Sequence, residues 1–434
     1  MDSLINARWV LPIEPANTIL AHHALLVRDG RILDLLPSAD AELRYPTAAR
    51  IDLDTHVLMP GLVNLHTHAA MSLMRGLADD LPLMKWLQEH IWPAESQHVS
   101  ADFVRDGTLL ACGEMLRGGV TCFNDMYFYP EATCAAVEQA GMRANVGMIA
   151  IEFPTAYASD AEDYLRKGFE VRDRYRESER IRFCLAPHAP YTISNKTFEK
   201  ILTLAEQTNI PIHIHLHETL DEIAQSLHEH GLRPLARLQQ LGLLSPNVIA
   251  AHMVHLTDEE IALCAAQGIS IAHCPVSNLK LASGIAPIAQ LLGQGVNVGI
   301  GTDGSASNNR LDLLNELRIA ALLAKGASGD ATALPAHQAL AMATLNGAKA
   351  LGLDHEIGSL KVGKAADMIA IDLSSLETSP CYDVASHLVY AAGREHVTHA
   401  WVQGQLLLNE RKLTTLDESA LRAKAAHWRD KLAD

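Results

Sequence analysis

The sequence predicts a (β/α)8 barrel accompanied by a small β-sandwich domain that both chain termini build together. Two observations carry the prediction. Apolar strands alternate with amphipathic helices through the middle of the chain, and β-rich segments of similar texture lie at both ends. Alternation of this kind calls for parallel strands with helices outside. A third observation, the residues that end those strands, says where the chemistry lies.

The first sixty residues read as short strands and turns. In HHALLVRDGRILDLLP, two apolar runs flank Arg28, Asp29 and Gly30, a hairpin signal. From there eight strand candidates follow: VLMPGLVNLH from Val57, VTCFNDM from Val120, RANVGMIAI from Arg143, RIRFCLAPHA from Arg180, IPIHIHLHE from Ile210, NVIAAHM from Asn247, ISIAHCP from Ile269 and VNVGIGTDG from Val296. Between them, Ala101 to Arg117, Lys196 to Gln207, Asp258 to Gln267 and Leu311 to Lys325 place apolar residues at helical spacing. Eight such units over roughly 290 residues suit a barrel. The tail, IGSLKVGKAADMIAIDL and HVTHAWVQGQLLLNE, returns to strand texture. The expected division is residues 1–58 and 358–434 for the small β-domain and 59–357 for the barrel.

Composition narrows the function. The 434 residues are 48% hydrophobic and carry a formal net charge of −16, so nucleic-acid backbones and anionic membranes are poor partners and a small molecule is the expected one. Seven scattered cysteines without a CxxC pair fit neither a disulfide framework nor a zinc knuckle. No basic-then-apolar leader and no membrane-length apolar run is seen, and the expected location is cytoplasmic.

The active site of such a barrel lies at the C-terminal ends of its strands. Strand one ends in His66 and His68, which share a face at i and i+2. Strand four ends in His188, strand five in His215, His217 and Glu218, strand six in His252, strand seven in His273 and strand eight in Asp303. One strand-end histidine is ordinarily structural. Six strands ending this way at one rim point to a metal, with neutral imidazoles suiting zinc and a carboxylate completing the shell. On strand five, His213, His215 and His217 face the same way, and parity leaves the ligand among them open. Cys274 and His273 read as packing or supporting residues.

The motifs PGLVNLHTH, HLHET, AHMVHL, AHCPVSNLKLASGIAPI, GTDGSASNN, TLNGAKALGL and IGSLKVGKAADMIAID, spanning Pro60 to Asp372, resemble the metal-dependent amidohydrolase superfamily, in the branch of nucleoside deaminases and triazine chlorohydrolases. The resemblance implies one Zn2+ per subunit held by His66, His68, His215 and Asp303, with HxxE selecting His215. His188 stands where two-metal members carry a carboxylated lysine. It also implies catalytic roles for Glu218 as proton donor to a ring nitrogen, His252 as orienting group and Asp303 as acceptor of the water's proton. MKWLQEHIWPAE resembles the corresponding segment of methylthioadenosine/S-adenosylhomocysteine deaminases, implying that Glu95 accepts ribose hydroxyls, that His188 contacts substrate, and that Trp86 and Trp92 line a wall for a thioether. Glu218 and Asp303 complete the expected substrate contacts.

Relatives that take S-adenosylhomocysteine use strand-three arginines for its carboxylate. Here only Arg143 precedes Arg166 in that region, which favours methylthioadenosine over S-adenosylhomocysteine or adenosine. A homo-oligomer is a further expectation of the resemblance. The rival readings are a guanine or 8-oxoguanine deaminase, a triazine chlorohydrolase and, in another class, a non-catalytic metal-binding scaffold. Glu218 argues against the scaffold and Glu95 against a free base.

Overall fold

The computed structural model describes residues 2–433. Four strands lead the chain: β1 (Ser3–Val10), β2 (Leu20–Arg28), β3 (Arg31–Pro37) and β4 (Ala49–Pro60). Asp29 and Gly30 both take positive φ, 49° and 77°, the geometry of a tight two-residue hairpin between β2 and β3. Eight barrel strands follow: β5 (Leu62–Thr67), β6 (Val120–Asp125), β7 (Arg143–Ala150), β8 (Ile181–Pro187), β9 (Ile212–Leu216), β10 (Val248–His252), β11 (Ser270–His273) and β12 (Asn297–Ile300). They hydrogen-bond in sequence order, all parallel. The amide of Asp303, just past β12, donates to the His66 carbonyl at 2.9 Å and brings the last strand back to the first.

Four more strands, β13 (Met368–Asp372), β14 (Val397–Val402), β15 (Gln405–Asn409) and β16 (Lys412–Leu413), join the first four in one eight-stranded sheet ordered β16-β15-β14-β13-β4-β1-β2-β3. Its two halves meet where β13 pairs antiparallel with β4, Met368 opposite Pro60. The sheet curls enough for Arg31 to bridge Ala365.

Three sequence expectations change. The apolar run VLMPGLVNLH is two strands: residues through Pro60 belong to the terminal sheet and those from Leu62 to the barrel. Gly61 is the joint, because a Cβ there would lie 2.0 Å from Thr121 Oγ1. The head is not wholly β, since Ser38–Arg44 is helical. The tail ends in a helix, Glu418–Ala433, whose sparse apolar face hides its packing role in the sequence. Trp428 on that helix is buried edge-on against Phe103, and its indole N–H donates to Asp106 at 3.0 Å.

The barrel helices follow their caps. Ser100 accepts from the Phe103 amide ahead of helix Ala101–Arg117, and Ser194 from the Thr197 amide ahead of Asn195–Thr208. Thr257 and Glu260 form a reciprocal capping box on Asp258–Gln267. No helix among the described residues is long and apolar enough to cross a membrane.

Candidate metal centre and substrate cavity

The turn after β5 is fixed by a buried carboxylate on the neighbouring strand. Asp125 accepts from Thr67 Oγ1 at 2.9 Å and from the Ala69 amide at 2.7 Å, which orients the His-Thr-His segment. A glycine is required opposite it: a Cβ on Gly301 would come within 2.8 Å of the His66 Cβ. Asp303 itself sits at φ 61°, in the left-handed region, with its backbone tied to β5.

His66, His68, His215 and Asp303 converge, one ligand atom from each lying within 4.8 Å of the others. The imidazoles of half-buried His68 and buried His215 are set by backbone carbonyls. His68 Nδ1 donates to Met126 O at 2.6 Å and His215 Nδ1 to His188 O at 2.6 Å, leaving both Nε2 lone pairs aimed inward. Those two Nε2 atoms stand 3.2 Å apart. Two lone pairs face to face are repulsive unless a cation lies between them. His66 Nδ1 meets His213 Nε2 at 2.9 Å, while its own Nε2 is buried without a hydrogen-bond partner, 3.3 Å from Asp303 Oδ1. An orphaned nitrogen, opposed lone pairs and a buried carboxylate fit a divalent cation with mixed nitrogen and oxygen ligands, as zinc is.

Electrostatics agree. Burial pushes the His66 imidazolium down to about 4 and His215 well below the ordinary histidine value, so both are neutral ligands. Burial also works against the His68 imidazolium, but the Asp303 carboxylate holds it up at about 9, a sign that this spot calls for positive charge. Against the cost of its burial, His66 and His68 bring Asp303 well below the ordinary carboxylate value. Its second oxygen accepts from Ser277 Oγ at 2.6 Å and Ser307 Oγ at 2.7 Å.

A cavity of about 270 Å3 opens onto this group, and His188, Glu218, His252, Glu95 and Trp86 all line it. Glu218 is buried and its carboxyl is raised above the usual range by that burial. His252 Nδ1 is paired with Asn278 Oδ1 at 2.9 Å, and its Nε2 lies 3.8 Å from Glu218 Oε2. Burial drives His188 down to about 3. Glu95, on helix Trp92–His98, is raised to about 7 by burial although Tyr127 donates to it at 2.7 Å. Trp86 spends its indole N–H on Ala78 O, so its ring is an apolar wall, continued by Trp92, Phe153 and Tyr157.

Other histidines and arginines fall elsewhere. His217 braces loops: Nε2 accepts from the Leu235 amide and Nδ1 meets His255 O. His213, on β9 below His215, lies beneath His66 of β5, and His273 is buried with neither ring nitrogen partnered among the described residues. Arg143 opens β7 at the opposite end of the barrel and is buried in an ion pair with Asp367, Nε to Oδ2 2.6 Å. Arg166 is exposed and pairs with Asp163 and Glu170. No arginine or lysine among the described residues lines the cavity.

Sequence reasoning missed Tyr127, Ser277, Ser283 and Ser307. Tyr127 carries a weak signal, lying just past the end of strand two. The serines sit in loops whose conformation no periodicity reports.

Parallel barrel, strand-end imidazoles and an apolar cavity with two buried carboxyls define a metal-dependent hydrolase. The chain belongs to the amidohydrolase family, whose sequence pattern matches residues 57–407. It is 48% identical to the 5-methylthioadenosine/S-adenosylhomocysteine deaminase of Saccharophagus degradans, over 99% of this chain and 97% of that protein. The crystal structure of an adenosine deaminase from Xanthomonas campestris with bound zinc superposes with a TM-score of 0.98 at 50% identity, covering 100% of this chain and 98% of that one. The zinc complex of atrazine chlorohydrolase TrzN from Arthrobacter aurescens superposes at 0.92 with 25% identity, covering 98% and 100%.

Proposed function

We propose that the chain is a cytoplasmic, zinc-dependent deaminase that hydrolyses 5'-methylthioadenosine to 5'-methylthioinosine and ammonia, with one Zn2+ per subunit. The observation that carries this reading is the cavity itself: a half-buried Glu95 at one side, an aromatic wall beside it and, among the described residues, no lysine or arginine to receive an amino-acid carboxylate. S-adenosylhomocysteine and adenosine are poorer fits, the first for want of a clamp, the second because its 5'-hydroxyl would face an apolar wall. A guanine-type or triazine substrate gives Glu95 nothing to bind.

His66, His68, His215 and Asp303 would hold the zinc, which when bound acidifies a water for attack at neutral pH. Glu95 accepts hydrogen bonds from the ribose 2'- and 3'-hydroxyls, with Tyr127 fixing its carboxylate. Trp86, Trp92 and Phe153 surround the methylthio group. His188 lies against the base. Glu218, whose carboxyl burial raises above the usual range, gives a proton to N1 of the adenine and so withdraws electrons from C6. Asp303 takes one proton from the attacking water, and His252 Nε2 orients the oxygen while Asn278 holds the other side of its ring. The C6–O bond forms, the C6–N bond breaks, and Asp303 passes its proton to the departing amine. Glu218 recovers a proton as the new C6 hydroxyl becomes the carbonyl, so water supplies both protons and N1 keeps the one it received.

The test is ammonia release and the adenine-to-hypoxanthine ultraviolet shift on methylthioadenosine, S-adenosylhomocysteine, adenosine and guanine. Fast turnover of methylthioadenosine above the others is expected; activity on guanine alone overturns the reading. The expected homo-oligomer is read from light scattering of the same zinc-loaded sample.

A further inference from the structure

Glu218 is reached by two groups that do not touch the cage. Helix Leu220–His230 begins with Thr219 as N-cap and Glu222 at the third helical position, the Thr-x-x-Glu spacing of a capping box. In the helix Asp258–Gln267, the same spacing behaves in the ordinary way, Glu260 accepting from the amide of its own cap, Thr257, at 2.9 Å. Glu222 does not. Its carboxylate passes over its cap and accepts from the amides of the two preceding residues, His217 at 2.9 Å and Glu218 at 2.8 Å.

The backbone it grips is strained: His217 has φ 55°, a conformation that a side-chain-bearing residue keeps only where surroundings enforce it. The second group is Ser283, whose hydroxyl donates to Glu218 Oε1 at 3.1 Å. Ser283 lies in another strained loop, between Ala282 at φ 53° and Gly284 at φ 130°. That loop is pinned from both sides, the Ser283 amide donating to Asn278 O at 2.8 Å and the Ser283 carbonyl accepting from His255 Nε2 at 2.6 Å. Glu222 and Ser283 are both 5% exposed, and neither lines the cavity.

We propose that Glu222 and Ser283 are positioning residues for the reaction: Glu222 fixes where the Glu218 backbone stands, and Ser283 fixes which way its carboxyl turns. The inference rests on the reading of Glu218 as proton donor to the ring. A donor free to rotate would satisfy itself on His252, and the proton would point away from N1. The capping residue of one barrel helix is thus diverted from helix stability to aiming a carboxyl.

The experiment measures kcat, KM and zinc content of the zinc-loaded enzyme with methylthioadenosine for Ser283→Ala, Ser283→Thr, Glu222→Gln, Glu218→Gln and the double variant Ser283→Ala/Glu218→Gln. Ser283→Ala is expected to lose on the order of tenfold in kcat, with KM within twofold and full zinc, and Ser283→Thr to recover most of it. Glu222→Gln, which leaves one amide facing an NH2 group, is expected to lose more. In the Glu218→Gln background the serine change is expected to add nothing, because the carboxyl it aims is gone. A Ser283→Ala enzyme with wild-type kcat, an undiminished serine effect in that background, or parallel loss of zinc would each overturn the proposal. If Glu222→Gln fails to fold, the serine cycle decides alone. Wild-type turnover by Glu218→Gln would instead overturn the reading of Glu218 itself.

Discussion

Two aspartates, one at each end of the barrel, are buried to nearly the same degree, yet their surroundings differ in kind. Asp367, near the N-terminal ends of the strands, is 2% exposed and saturated: Arg143 holds both oxygens, at 2.6 and 3.2 Å, and the Gln403 amide adds a third bond. Asp303, at the C-terminal rim, is 5% exposed and faces imidazoles whose lone pairs point at one another. The first is a closed ion pair that ties barrel to terminal sheet. The second is closed only when a cation arrives. A buried charge that the protein completes by itself speaks of stability, and one that it leaves incomplete speaks of chemistry.

Substitutions at both ends separate these roles. Asp303→Ala should abolish turnover and release zinc, read by kinetics and metal analysis; a variant with full activity would remove Asp303 from the mechanism. Glu218→Gln should keep zinc and lose about 10^2–10^4-fold in kcat, as expected for a missing general acid. Arg143→Ala leaves Asp367 buried and unpaired and should cost about 3–5 kcal/mol of stability in denaturant unfolding, with kcat and KM of the folded enzyme unchanged. A raised KM there would return Arg143 to substrate binding.

Smaller effects are expected at the ribose. Glu95→Gln should raise KM by about 10–100-fold with zinc retained, the cost of about 1.5–3 kcal/mol for hydrogen bonds to a charged acceptor. Because Glu95 is raised to about 7, its ionised, hydroxyl-accepting form prevails above that pH. KM for methylthioadenosine should therefore climb as pH falls below 7, approaching about tenfold per unit, and the Gln variant should lose that dependence. A wild-type KM flat from pH 8 to 6 would separate Glu95 from the ribose.

The comparison also explains what the sequence disclosed. The cage was legible because strand periodicity puts His66 and His68 on one face and barrel geometry collects strand ends at one rim. Strand five was not legible by parity alone, because His213, His215 and His217 share a face; depth separates them, His213 beneath His66 and His217 turned away at φ 55°. The split of the first strand at Gly61 was hidden, since the apolar run continues across a change of sheet. Ser277, Ser283 and Ser307 act through loop conformations set by distant contacts, and no local pattern encodes those. Tyr127 finds Glu95 across 32 positions of sequence, a contact only the fold creates.

The helix Glu418–Ala433 ties the cavity to the part of the chain outside the barrel. Trp428 shares one apolar cluster with Trp86, Leu87 and Ile91, which line the cavity, so the cavity wall is backed by a helix that follows every barrel strand in sequence. The terminal sheet is interleaved in the same way, with β13 to β16 completing what β1 to β4 begin. The metal ligands, by contrast, all lie at or just past the ends of β5, β9 and β12. The segments outside the barrel thus finish the pocket, while the barrel alone supplies the ligands.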